Sequence, residues 1–217
     1  MHIQHRLVGR GDEAVGLVRN PDHVADLRAI GAQAEVLDLE STDESMVAGA
    51  LAGADAAVFA AGAGPGSGAA RKDTMDRAGA ELFAAAAKRA GVRRYILISA
   101  MNAQVDPGPE IDEVFAAYLR AKGLSERALQ TMELDWTILR PGMLTNDEPG
   151  GMVELRPSVA RGEVSRADVA DVVLALLDEP RTVGMTLELV GGTTPIPDAI
   201  SALFEGVEID NLRSGGL

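Results

Sequence analysis

The sequence predicts an α/β fold, a doubly wound parallel sheet, as a single domain over residues 1–217 with 205–217 as a loose tail. Two patterns predict it. Short apolar runs recur along the chain and each is followed by a helical stretch, the alternation that parallel strands and crossover helices produce. Beyond one glycine-rich loop, no linker, repeat or low-complexity tract divides the chain. With 217 residues, 47% of them apolar, there is material for one sizeable core and too little for two.

The first clear strand is Ala14 to Val18. It breaks at Arg19, Asn20 and Pro21, where Asn20 can cap a helix and Pro21 occupy its first position, with Gly31 as the stop. AEVLDLE reads as the next strand, and Ser41 with Glu44 stands in capping-box spacing for a helix ending near Gly53. DAAVFAAG, residues 55–62, is a buried strand running into GAGPGSGAA, a loop by its glycine content. A helix from Asp73 to Ala90, the strand RRYILISA, the loop MNAQVDPGPE and a helix over 112–132 follow. LDWTILRPG is a further strand and EPGGMVELRPSVARGEV reads as irregular. Ser165 with Asp168 opens a helix to Asp178, MTLELVGG closes the sheet, and PDAISALFEG is a candidate last helix before NLRSGGL.

Composition removes several function classes. The 33 acidic against 20 basic residues give a net charge of −13, which repels nucleic-acid backbones and anionic lipid, so no nucleic-acid or membrane partner is expected. Without cysteine there are no disulfides, thiolate metal sites or cysteine nucleophiles. His2, His5 and His23 are too scattered for a histidine triad or a three-histidine zinc site, so no metal is expected. No apolar run is long enough to span a bilayer and no signal-peptide pattern opens the chain, so a cytoplasmic location is expected.

Doubly wound sheets bind ligands beyond the carboxyl ends of their strands, which singles out the residues just past each apolar run. Arg19 follows the first strand, where a guanidinium suits a ribose 2′-phosphate; NADP is favoured over NAD, against the alternative of a surface arginine opening a turn. Asp38 and Leu39 end the next strand, placed to meet adenine, although helix-capping residues would look the same. Ala60, Ala61 and Gly62 are small enough for backbone to approach a ribose or pyrophosphate. In YLRAK, Tyr118 and Lys122 share one helix face. An ammonium about 4 Å from the phenol, worth roughly 4 kcal/mol at an effective dielectric of 20, would lower its pKa by up to about three units. Ser99, ending RRYILISA, is placed to hydrogen-bond a substrate carbonyl. The alternative for the pair is a half-buried tyrosine and a solvated lysine on an ordinary amphipathic helix.

The succession LVRNP, VLDLE, VFAAGAG, AGVRRYILISA, YLRAK, DWTILRPG and SRADVADVV resembles the atypical short-chain dehydrogenase/reductases, specifically the small NAD(P)H-binding, NmrA-like group, over residues 12 to about 197. The resemblance implies a Rossmann fold with strand order 3-2-1-4-5-6-7 and a bound dinucleotide. It places Arg19 at the 2′-phosphate, Asp38 and Leu39 at adenine, Ala60, Ala61 and Gly62 along the cofactor, and Pro141 and Gly142 near nicotinamide. Ser99, Tyr118 and Lys122 match the catalytic serine, tyrosine and lysine of active members, with the lysine also on the nicotinamide ribose. The implied activity is NADP-dependent hydride transfer to or from a small carbonyl or quinone-like substrate. The alternatives are a non-enzymatic redox sensor acting through a protein partner, and an NAD(P)-dependent epimerase-like protein.

Two departures qualify this. The family opens with a strand, a glycine-rich turn of the GxxGxxG kind and a helix whose N-terminus faces the pyrophosphate. Here MHI resembles the start of the strand and QHRLVGRG the end of the helix, so about a dozen residues of the pattern are lacking between Ile3 and Gln4. Losing a central strand would forfeit on the order of 10 kcal/mol of apolar burial, so the expectation is that the natural protein carries a segment there. In addition, the loop between Ser99 and Tyr118, with Pro107, Gly108 and Pro109, is longer than in compact reductases.

Overall fold

A computed structural model describes residues 1–64 and 66–205, and the NLRSGGL tail lies outside them. The chain opens with helix α1 (His2–Arg10), followed by strand β1 (Val15–Val18), α2 (His23–Ala29), β2 (Gln33–Val36), α3 (Glu44–Leu51) and β3 (Ala56–Phe59). A single helical rod then comprises α4 (Ala69–Arg71), a π-helical stretch over Lys72–Gly79 and α5 (Ala80–Ala90). After β4 (Arg94–Ile98) come α6 (Glu113–Gln130), β5 (Asp135–Pro141), β6 (Met143–Thr145), β7 (Met152–Arg156) and β8 (Glu163–Ser165). The described chain closes with α7 (Arg166–Leu177), a 3-10 turn at Pro180–Thr182, β9 (Thr186–Gly191), β10 (Thr194–Pro195) and α8 (Ile196–Ala202).

The strands β3, β4, β5 and β9 pair in parallel, in that order, and their apolar sequences are buried on both faces. Ile96, Leu139, Leu187 and Leu189 pack on Val169, Val172, Val173 and Leu176 of α7. Ala57, Phe59, Tyr95, Leu97 and Ile138 turn to the opposite face, against α3 and α5. The segment expected to be irregular contains β7, which joins the sheet antiparallel to β9. Its Val153 and Leu155 are buried between exposed neighbours, a period-two pattern masked in the sequence by flanking glycines and prolines.

Helix starts differ in detail from the expected ones. Asn20 Oδ1 accepts from the Asp22 N–H, so Asn20 shapes a turn and Asp22 stands at the N-cap of α2. Asp43, not Ser41, caps α3 by accepting from Met46 N–H. Ser165 caps α7 as expected, its hydroxyl accepting from Asp168 N–H.

At the start of the chain the structure corrects the sequence reading. Residues 2–10 form one helix, so His2 and Ile3 belong to α1 rather than to a strand, while the residues from Gln4 to Arg10 are helical as expected and the first strand and its glycine-rich turn are lacking. The implied order of strands is kept except at its middle. β1 and β2 form their own parallel pair, and among the described residues β1 has no second neighbour and β3 pairs with β4 alone. Apolar packing joins the two sheets. On one face α1 spans them, with Ile3 against the larger sheet's cluster and Leu7 and Val8 against Ala14, Leu27 and Ala32. On the other, Leu17, Leu37 and Leu39 pack into the cluster around Phe59 and Phe83. Arg6 fastens α1 to α7 through a two-pronged contact with Asp171 at 2.5 and 3.1 Å, and Arg10 bonds Asp178.

Gly123 sets how closely α6 approaches the loop beyond β4. A Cβ there would lie 2.1 Å from the Ala103 carbonyl oxygen. Alanine normally favours a helix over glycine by about 1 kcal/mol, but here Gly123→Ala should cost roughly 1–3 kcal/mol through overpacking. Urea denaturation reads this directly, and an unchanged or higher midpoint would refute the constraint.

Candidate functional site

Beyond the carboxyl ends of β3 and β4 lies a cleft of about 480 Å³. Its walls bring together Ala60, Ala61 and Gly62 after β3, Ser99 after β4, and Tyr118 and Lys122 of α6. Phe115 and Leu144 add apolar surface, and Lys72 and Asp76 enter from the π-helical stretch. Three expected groups of residues therefore meet in one place. Ser99 is 4% exposed and its Oγ makes no hydrogen bond to the described residues. A buried hydroxyl without a partner is costly, so it fits a ligand that supplies one.

Asp76 organises the floor. Its Oδ2 accepts from the Ala63 N–H at 3.1 Å and its Oδ1 stands 3.4 Å from Lys122 Nζ, while Lys122 Nζ donates to the Ile98 carbonyl at 3.1 Å. Both side chains are almost wholly buried. Gly62 is required beside this pair, since a Cβ there would sit 2.8 Å from Asp76 Oδ1. Burial draws the Lys122 ammonium below the usual lysine range and Asp76 opposes that shift.

The electrostatics of Tyr118 correct the sequence argument. Lys122 Nζ lies 5.9 Å from the centre of the Tyr118 ring and spends its charge on Asp76 and Ile98. Burial, reinforced by the Asp76 carboxylate, pushes the phenol up to about 12 rather than down. Sequence spacing placed the two side chains on one face but could not show that the Asp76 carboxylate pairs with Lys122 and acts on the phenol. Lys122 is also buried, not solvated.

Arg19, Asp38 and Leu39 do not line this cleft. Asp38 Oδ1 accepts from Glu40 N–H and shapes the turn beyond β2, and Leu39 packs on the core. Arg19 contacts Glu40 at 3.3 Å, and Glu40 receives hydrogen bonds from Arg71 and Thr74. Arg71 in turn donates to the Ala63 carbonyl, which joins this charged group to the cleft wall. Pro141 ends β5 and Gly142 follows it, both outside the lining; Gly142 packs so tightly that a Cβ would lie 2.2 Å from the Gly162 carbonyl oxygen. Sequence reading missed Asp76, Lys72, Glu40 and Arg71. The π-helical stretch alters the helical register that would have placed Asp76, and Arg71 follows a loop whose path the sequence leaves open.

A dinucleotide fits these residues in kind. Small side chains at 60–62 admit a ribose, Ser99 offers an unused hydroxyl, and Lys122 supplies a cation at the floor. Among the described residues no cluster of three or more His, Asp or Glu could hold a metal ion, and no helix is long and apolar enough to cross a membrane.

Known proteins resemble the chain over most of its length. A family model described as NAD(P)H-binding matches residues 1–180. The "Uncharacterized sugar epimerase YhfK" of Bacillus subtilis is 36% identical over 187 residues, 86% of each chain. A "Putative NAD-dependent epimerase/dehydratase" from Bacillus halodurans superposes with a TM-score of 0.85, at 35% identity over 93% of both chains. The "oxidoreductase ylbE" of Lactococcus lactis superposes with a TM-score of 0.82, at 25% identity, over 94% of this chain and 91% of that one.

The chain has two tyrosines, Tyr95 and Tyr118, and burial raises both. The folded protein should therefore show almost no tyrosinate absorbance at pH about 10, where a free phenol is half ionised. Because the unfolded chain loses these protons first, stability should fall as pH rises from about 10 toward 12. Tyrosinate absorbance appearing near pH 8 in folded protein would restore a lysine-lowered phenol.

Proposed function

Because this chain belongs to the NAD(P)H-binding family, we propose that it is a cytoplasmic NADP-dependent oxidoreductase acting on a small carbonyl or quinone-like compound. The unpartnered Ser99 hydroxyl, sharing a cleft with Tyr118 and Lys122, carries this reading. Bound in the cleft, the dinucleotide supplies or accepts a hydride. Ser99 Oγ donates its free hydrogen to the substrate oxygen and steadies charge developing there. Tyr118 remains a neutral phenol at working pH, so it serves as proton donor to that oxygen, which favours the reductive direction. Lys122, held by Asp76 and Ile98, fixes the floor on which the ribose rests. Phe115 and Leu144 give the cleft apolar surface for the substrate.

The names of the Bacillus relatives support a second reading, a sugar epimerase or dehydratase, in which the same residues move a proton without net change in the cofactor. Consumption of NADPH in stoichiometry with a panel of aldehydes, ketones and quinones separates the two. Binding of NADPH without turnover of any carbonyl or sugar substrate would instead make the protein a redox sensor.

Tyr118→Phe should reduce turnover by about a hundred- to ten-thousand-fold while NADPH affinity is retained, as measured by steady-state kinetics and fluorescence titration. Unchanged turnover would remove the proton-donor role. Ser99→Ala should lower kcat without unfolding the protein, since its hydroxyl bonds no described residue; a loss confined to thermal stability would make the hydroxyl structural.

A further inference from the structure

The first turns of α6 put apolar surface at the mouth of the cleft. Phe115 and Tyr118 stand three apart on one helix face, and their rings stack with centres 5.9 Å apart and planes 27° apart. Of the four phenylalanines, Phe59 and Phe83 are core residues and Phe204 lies 4.0 Å from the Arg181 guanidinium, whereas Phe115 is 51% exposed although it lines the cleft. Val114 beside it and Leu144 across from it, on β6, are exposed as well. An aromatic ring left open beside apolar neighbours in a concave site is a surface for the flat face of a ligand.

The polar groups of the cleft narrow the ligand further, because most of them are already spent. Asp76 and Lys122 cancel each other's charge on the floor. Ser67 Oγ donates to the Gly64 carbonyl, and Asp112 accepts the Phe115 N–H as the cap of α6, where the positive end of the helix offsets its charge. What remains is the unpartnered Ser99 hydroxyl, the Tyr118 phenol and the ammonium of Lys72. Lys72 Nζ lies 5.5 Å from the centre of the Tyr118 ring and gives one hydrogen bond, to the Gly64 carbonyl at 3.0 Å. It pairs with no carboxylate among the described residues, so two of its three N–H donors are open. A sugar brings several hydroxyls that each need a partner, and these groups are too few to supply them. A flat ring bearing one carbonyl and one anionic group uses all of them.

We propose that the substrate is a planar conjugated carbonyl compound carrying a carboxylate, with its ring against Phe115, its carbonyl at Ser99 and Tyr118, and its carboxylate at Lys72. Phe115 and Lys72 are then the residues that set specificity. This deepens the proposed function and rests on it, and it favours the reductase over the sugar epimerase.

The test measures kcat/KM with NADPH for three aldehydes: 4-carboxybenzaldehyde, which is planar and anionic, its methyl ester, which is planar and neutral, and succinic semialdehyde, which is anionic and aliphatic. Wild type should prefer the first over both others, and its preference over the ester should weaken with added salt. Lys72→Met should lower the carboxylate-to-ester ratio about tenfold, with Lys72→Arg restoring it. Phe115→Leu should lower the ratio of 4-carboxybenzaldehyde to succinic semialdehyde by about three- to tenfold, with Phe115→Tyr retaining it. Calorimetric titration of the same proteins with 4-(hydroxymethyl)benzoate reads binding without turnover, and thermal denaturation checks that each variant is folded. A wild-type preference for the ester or the aliphatic aldehyde, or ratios unmoved in folded Lys72→Met and Phe115→Leu proteins, overturns the inference while the reductase stands. If wild type reduces no carbonyl yet binds 4-(hydroxymethyl)benzoate through Lys72 and Phe115, the reductase falls and the site for a flat carboxylate stands. If it neither reduces the aldehydes nor binds the benzoate, both fall.

Discussion

The buried pair of Asp76 and Lys122 is the interaction on which the cleft depends. Desolvating two charges costs several kcal/mol per ion, and the pair tolerates this only because each member has a further partner. Asp76 binds the Ala63 N–H and Lys122 the Ile98 carbonyl, so the ion pair joins the loop after β3, the end of β4, helix α6 and the π-helical stretch. Shortening either side chain would leave an uncompensated buried charge. It would also release the glycine-rich wall, because Gly62 stands against the Asp76 carboxylate. Burial raises the Tyr118 phenol and the same carboxylate adds to that shift, so Asp76 shapes the site and reinforces the neutral state of its tyrosine.

Much of the architecture was legible in the sequence. The apolar runs at residues 56–59, 94–98, 135–141 and 186–191 are buried on both faces, and such strands show themselves by hydrophobicity alone. Strand β7 was not legible, since it is short, half-polar and framed by Gly150, Gly151 and Pro157. In the opening helix only MHI was misread, because it was fitted to a family strand, whereas the apolar Ile3, Leu7 and Val8 recur at helical spacing.

The site divides in the same way. Residues that directly follow strands, Ala60 to Gly62 and Ser99, were found from their position, and Tyr118 with Lys122 from their spacing. What the sequence withheld were the counter-charges. Asp76 comes from a segment with no motif of its own and Glu40 closes VLDLE without drawing notice there, and the effect of both depends on burial and on three-dimensional approach. Charge balance within a site is set by such partners, so the direction of the Tyr118 shift was not accessible from a tyrosine and a lysine four residues apart.

The divided sheet has an energetic consequence. The β1–β2 pair rests on a small cluster around Ala14, Leu27 and Ala32 on one face and gives only Leu17, with Leu37 and Leu39 beyond β2, to the main core on the other, while the larger sheet is buried by α7 on one side and α5 on the other. Cooperative opening follows local burial, so backbone amides of the small unit should exchange with solvent well before those of β4 and β5. Arg19 and Glu40 lie at the rim of that unit. Arg71, bonded to Glu40 and to the Ala63 carbonyl, ties the weakest part of the molecule to the wall of the cleft, so loosening that contact would be felt by amides far from either residue.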